Sequence, residues 1–163
     1  MPLLVLGHID PGDHVLVVEQ ELRQGLRQLG LADAGRAHEH EITTIAGSSD
    51  YFKGAVVSYA NEVKMSLLGV SEQDIINHGV VSEPVVRQMV EGVARALGTD
   101  CAIATSGVAG PGGGTPAKPV GTVLMAAKCG DHVVAQVKQL PGDRNRVITR
   151  ATLEAQLLLL SLL

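Results

Sequence analysis

The chain has 163 residues, 45% of them apolar, which suffices for one globular domain with a sizeable core, spanning 1–163. A formal charge of -4 excludes the basic surface that nucleic acid requires, and with Tyr51, Phe52 and Tyr59 as the whole aromatic set there is almost no platform for stacking bases. The N-terminal MPLLVLG lacks the basic flank of a signal peptide and the terminal LLLLSLL is too short to span a bilayer, so the expectation is a cytoplasmic protein with no membrane partner.

In chain order, the first strong signal is HVLVVEQELRQGLRQLG, where Val18, Leu22, Leu26 and Leu29 recur at helical spacing and Gly30 closes the run. EITTIAG and AVVSY come next as strands, with SSDYFKG turning between them. Asn61 is placed as the N-cap of a helix over EVKMSLL that ends at Gly69. Ser71, with an acid three residues on, opens a second helix, SEQDIINHG. Ser82 opens a longer one whose Val86, Met89, Val90, Val93 and Leu97 form one apolar face and whose end is Gly98.

CAIAT is then a short, continuously apolar strand, the pattern of burial on both faces. VGTVLMAAKCGDHVVAQVKQL reads as a hairpin about Gly130-Asp131, and a last helix starts near Asp143. Cys101 and Cys129 are the only cysteines, so no disulfide framework is expected and a reducing compartment is the simplest setting. Alternating helices and apolar strands imply α/β layers with a mixed sheet, to which the hairpin supplies at least one antiparallel strand. The leucines of the tail exceed what one helix face needs, which points to self-association as a homo-oligomer.

Chemistry concentrates in SGVAGPGGGTPAKPVGT, residues 106–122, which carries six glycines and three prolines directly after the buried strand. In α/β sheets ligands bind at the carboxyl ends of strands. A Walker loop is excluded, because no glycine is followed by lysine and then a hydroxyl. Gly112 to Ala117 nominally fits G-x-G-x-x-A, but Pro116 and Pro119 break the helix a dinucleotide would need. A nest of main-chain N–H groups for a phosphate or carboxylate survives, flanked by the hydroxyls of Thr105, Ser106 and Thr115. A glycine-rich turn joining a strand to a hairpin would have the same composition.

Two further constellations stand out. In VVSYANEVK, Tyr59 at a strand end and Lys64 in the next helix could form a proton-transfer pair, their pKa values lowered by burial and contact; a half-buried tyrosine beside a solvated lysine is the plainer alternative. In PGDRNR, Arg144 and Arg146 oppose the dipole of the helix they open, as they would beside a bound anion. HEHE puts His38 and His40 on one face of a strand, but the H-x-E and P-C-x-x-C set of a zinc deaminase does not occur. No metal and no cofactor are expected.

With GSSDYFKGAVVSYANEVKMSLLGV, HGVVSEPVV, ATSGVAGPGGGTPAKPVGTV and PGDRNRVI in this order, the chain resembles the C-terminal domain of the competence/damage-inducible CinA family from about His40 to its end. The resemblance implies a three-layer α/β/α sandwich with a mixed, mostly parallel sheet, and stand-alone members of that family are nicotinamide-nucleotide amidohydrolases. The resemblance implies hydrolysis of the carboxamide of nicotinamide mononucleotide to nicotinic acid mononucleotide and ammonia, with a pyridine nucleotide as the small-molecule partner. The family's tyrosine and lysine fall on Tyr59 and Lys64 as catalytic groups. Its glycine loop falls on Gly107, Gly110, Gly112, Gly113, Gly114 and Thr115, its arginine on Arg144, and its Gly-Ser-Ser turn on Ser48 and Ser49, the nearest surviving hydroxyls, with Ser48 taken as a catalytic candidate.

The family's Glu-Ser-Cys-Thr-Gly-Gly motif, which carries the expected nucleophile, is missing. Leu31, Ala32 and Asp33 stand at its first three positions, and the first forty residues contain no serine, threonine or cysteine. Loss of a nucleophile costs orders of magnitude in rate. Beside the amidohydrolase stand two alternatives: a catalytically inactive pyridine-nucleotide binder, and a structural oligomer that keeps only the fold.

Overall fold

The structure is a computed structural model, and it describes residues 3–5 and 50–163. The helix expected at 14–30, the strand expected at 41–47, His38, His40 and Ser48 lie outside the described residues. Five strands form one sheet: β1 (Leu3–Val5), β2 (Gly54–Val56), β3 (Cys101–Gly107), β4 (Thr122–Cys129) and β5 (His132–Gln139), in the order β2-β1-β3-β4-β5. Four helices accompany them: α1 (Asn61–Leu68), α2 (Glu72–His78), α3 (Glu83–Leu97) and α4 (Arg144–Leu160).

The three-layer α/β/α arrangement results from the alternation of side chains along the two central strands. Cys101 and Ile103 of β3, with Val123, Met125 and Ala127 of β4, pack with Val147, Ala151, Ala155 and Leu159 of α4. Ala102 and Ala104, with Leu124 and Ala126, pack on the other side with Val85, Val86, Met89, Val90 and Val93 of α3. The first six residues of β3 and of β4 are all buried, as the unbroken apolar run CAIAT requires.

The sheet corrects one expectation. Every described ladder is antiparallel, where a mostly parallel sheet was expected. The connections from β3 to β4 and from β4 to β5 each reverse the chain, and the rest is due to β1, a strand that no local sequence signal announces. It inserts between β2 and β3 and runs against both, so these two strands point the same way without touching. Among the remaining elements, AVVSY pairs only as far as Val56, the hairpin about Gly130-Asp131 forms between β4 and β5, and Ala60 takes the N-cap position expected of Asn61. Ser71 caps α2 by accepting from the Asp74 amide, whereas the Ser82 hydroxyl turns back to donate to the Gly79 carbonyl. Of the tail leucines, Leu159 is buried while Leu153 and Leu157 stand exposed on α4.

The two cysteines also differ from expectation. The structure joins Cys101 and Cys129 in a disulfide, their Cα atoms 4.2 Å apart, because the β3–β4 register sets them opposite each other. Two short strands of a hairpin-like pair can align single cysteines, which counting thiols does not reveal.

Helix α1 lies on α3 at a point that only glycine permits. A Cβ added to Gly92 would stand 1.8 Å from the Leu68 carbonyl oxygen and 2.6 Å from its carbon. Both partners are backbone, so neither can swing aside. Substituting Gly92→Ala is expected to force α1 off α3 and destabilise the domain by about 2 kcal/mol or more, read as a lower urea midpoint with little change in slope.

Candidate functional site

Strand directions place the candidate residues together at one edge of the sheet. β2, β3 and β5 run parallel to one another through intervening antiparallel neighbours, so Val56, Gly107 and Gln139 end at the same edge. Tyr59 and Lys64 come after β2, the glycine loop after β3, and Arg144 after β5. The antiparallel sheet thus gathers what a parallel one would have gathered.

The base of the glycine loop extends the β3–β4 ladder. Val108 donates to the Thr122 carbonyl at 2.9 Å, and Gly121 to the Val108 carbonyl at 2.7 Å. Three tethers then hold the loop and the strand end beneath it. The Arg144 guanidinium donates to the Gly110 carbonyl at 2.8 Å, from the start of α4. The Lys118 ammonium donates to the His78 carbonyl at 2.8 Å, at the C-terminus of α2, where a cation also meets the negative end of the helix. The buried Ser106 hydroxyl donates to the Val80 carbonyl at 2.7 Å, just beyond α2. Lys118 was not singled out from sequence. Its signal, a lysine between two prolines at a loop's far end, becomes legible only when α2 is seen beneath it.

The glycines of the loop divide by role. Gly110 has φ +81°, and a Cβ there would meet a Val120 methyl at 2.6 Å. One on Gly114 would meet the Val120 amide at 2.9 Å, so the loop is folded tightly over Val120. Gly112 differs. Its backbone does not require glycine, and a Cβ there would have no described atom within 4 Å. Thr115 closes a turn with Lys118, donating from its amide to the Lys118 carbonyl while its hydroxyl accepts the Lys118 amide at 3.0 Å. Gly112, Gly113 and Gly114 are exposed, and among the described residues their amides donate to no protein atom.

The expected hydroxyl flank is divided by the sheet. Thr105 and Ser106 are adjacent on β3 and therefore face opposite layers, Ser106 towards the α3 side and Thr105 towards α4. Both are buried. The arginine conflict at the start of α4 has a local resolution: the Asp143 carboxylate accepts from the Arg146 amide at 2.9 Å and supplies the negative charge this helix end favours. Of the two arginines, only Arg144 reaches the glycine loop; Arg146 lies 4.0 Å from the Asp143 carboxylate.

Tyr59 and Lys64 are brought together through the backbone. The Lys64 ammonium donates to the Tyr59 carbonyl at 3.1 Å, while the Tyr59 side chain stands 78% exposed. Lys64 itself is only 7% exposed. Burial lowers its pKa below the usual lysine value, against the Glu62 carboxylate, which raises it. The plain reading of a solvated lysine therefore does not describe this residue, and the ring and ammonium are not in contact as a pair. Ser58, next to Tyr59, is a further buried hydroxyl at this edge.

A family model described as the CinA C-terminal domain matches residues 15–163. The chain belongs to the CinA C-terminal domain family. The match reaches nearer the N-terminus than the motif resemblance, which begins near His40. A CinA-like protein of Mycolicibacterium gilvum is 50% identical over 119 residues, covering 72% of this chain and 28% of that protein. One from Gloeobacter violaceus is 58% identical over 85 residues, 52% of this chain and 20% of that protein. This CinA-family chain therefore spans under a third of the length of these relatives. Among solved structures, the competence-damaged protein (CinA) superfamily protein from Escherichia coli is similar with TM-score 0.75 and 26% identity, covering 95% of each chain. The competence/damage inducible protein from Agrobacterium tumefaciens gives TM-score 0.72 and 29% identity over 94% of this chain and 98% of that one.

The tethers lead to a direct expectation for the CinA loop. Arg144→Ala and Lys118→Met should each speed amide hydrogen exchange at the hydrogen-bonded loop amides of Thr115 and Lys118 by about tenfold or more, while exchange in α3 stays unchanged. Equal acceleration in α3 would mean that the substitutions loosen the whole domain.

Proposed function

We propose that this CinA domain binds nicotinamide mononucleotide at the common edge of β2, β3 and β5 and hydrolyses its carboxamide to the carboxylate and ammonia. The observation that carries the reading is the row Gly112, Gly113 and Gly114, exposed, with amides unengaged by described protein atoms, on a loop that is otherwise tied down. Successive main-chain amides held in place suit a phosphate, because the cost of ordering them is met before the ligand arrives. Glycine at 112 has no internal reason, whereas close approach of a ligand supplies one.

In this reading Arg144 steadies the loop through Gly110 and offers its remaining donors to the phosphate. Lys64, with its lowered pKa, takes the proton of an attacking water or hydroxyl and passes it to the departing ammonia. Tyr59 assists at the open side of the same edge. Water adds to the amide carbon, the C–N bond breaks, and the proton leaves with the nitrogen, so no metal or redox partner enters the balance.

A second reading has its own support. The first forty residues hold no serine, threonine or cysteine, which removes the family's acyl-enzyme route and leaves Ser48 or water. In that case the domain binds the mononucleotide without turnover. Ammonia release decides between the two, and a rise in melting temperature with ligand tests the binding common to both. Gly112→Ala is expected to leave the stability of the free protein within about 0.5 kcal/mol and to abolish most of the ligand-induced rise. An undiminished rise would remove the glycine loop from the site.

The amidase reading also fixes a pH dependence. Lys64 acts as a base only when neutral, so the rate should climb with pH through a pKa below that of ordinary lysine. Because Glu62 opposes the shift, Glu62→Gln should move that limb to lower pH, and an unmoved profile would exclude Lys64 as the base.

A further inference from the structure

The sulfur pair at the opposite end of β3 belongs to none of the chemistry above. Gly130 donates its amide to the Asp100 carbonyl at 3.1 Å, so Cys101 and Cys129 form the adjoining pair without mutual hydrogen bonds, where opposed side chains come closest. Their Cα separation of 4.2 Å agrees with that position. The two sulfurs are not equivalent. Cys101 is fully buried, whereas Cys129 is partly buried at the edge of the α4-side core, one residue from the hairpin turn. The ring they close spans a sequence separation of 28 and contains the whole glycine loop.

We propose that Cys101 and Cys129 are a reversible thiol–disulfide pair that exchanges with low-molecular-weight thiols and disulfides, with Cys129 as the entry sulfur and Cys101 as the resolving one. The Cys129 thiolate attacks one sulfur of the small disulfide and expels the first thiolate. Cys101, having lost its proton, then attacks the Cys129 sulfur and expels the second. One S–S bond is consumed and one formed, and two electrons pass to the reagent. Two reduced thiols run the same steps backwards, entering at Cys129. Exposure sets the order, since attack needs access to sulfur and only Cys129 offers it from the folded state. The oxidised pair closes the β3–loop–β4 segment covalently and stabilises the fold by restricting the unfolded chain.

The test treats the reduced protein with oxidised glutathione, quenches with iodoacetamide and reads intact mass. The expected product has lost two hydrogens, takes no alkyl group, reverts with dithiothreitol, and melts about 5–10 °C higher than the reduced form. Cys101→Ser should stop as a mixed disulfide on Cys129, and Cys129→Ser should stay unmodified while folded. Should a serine variant not fold, peptide mapping of the wild-type protein early in the reaction identifies the sulfur that carries glutathione first. A stable mixed disulfide in the wild-type protein, a covalent dimer, two alkylated cysteines after oxidation, or first attack at Cys101 would overturn the proposal. None of these readouts depends on amidase activity, so failure here leaves the mononucleotide site untouched, and the reverse.

Discussion

Strand β3 has no solvent face. Cys101 and Ile103 press towards α4, Ala102 and Ala104 towards α3, β4 pairs along one whole edge, and β1 meets the other at Val5–Ala102. Burial on all sides stabilises the strand by removing apolar surface from water, and it also forbids polar chemistry along its length, where an unpaired group would cost several kcal/mol. Thr105 and Ser106 mark where that prohibition begins to lift, and Ser106 is at once committed to the Val80 carbonyl. Everything polar that this strand presents must come after Gly107. The neighbours obey the same geometry, so that β2 and β5 deliver Tyr59, Lys64 and Arg144 to the same edge.

Beyond β3 the chain enters a loop with little side chain of its own, held by groups from elsewhere. Glycine loses more conformational freedom on ordering than any other residue, so three in succession resist being fixed. Arg144 offsets that cost by binding the Gly110 carbonyl at the loop's near portion, Lys118 by anchoring its far portion to the His78 carbonyl of α2, and Val120 offers a surface against which Gly110 and Gly114 close. Fixed amides with no acceptor among the described residues are the result. The loop's glycines thus serve two ends, close packing at 110 and 114 and openness at 112, which composition alone cannot separate.

Much of this architecture is legible in the sequence because it rests on local rules. The αL glycines at 69 and 98, the cap at Ser71, the hairpin at Gly130-Asp131 and the start of the last helix at Asp143 each need only a few neighbouring residues. The misses are long-range. Nothing within Leu3–Val5 announces that it will slip between β2 and β3, and that insertion keeps the two parallel strands from pairing with each other. Register likewise makes partners of Cys101 and Cys129, and the fold beneath the loop gives Lys118 its carbonyl. At the site, motif spacing brought out Tyr59 and Lys64 together, but not that backbone rather than phenol receives the ammonium.

In the proposed reading the loop, and not the start of α4, receives the anion. A helix N-terminus offers free amides and partial positive charge, and two arginines nearby strengthen the field. Asp143 already occupies that position, its carboxylate accepting from Arg146 N–H, so a phosphate arriving there would have to displace a covalently attached competitor and face its charge. Arg144 extends instead to the Gly110 carbonyl. The guanidinium thereby sits beside the glycine loop, where the amides unengaged among the described residues lie.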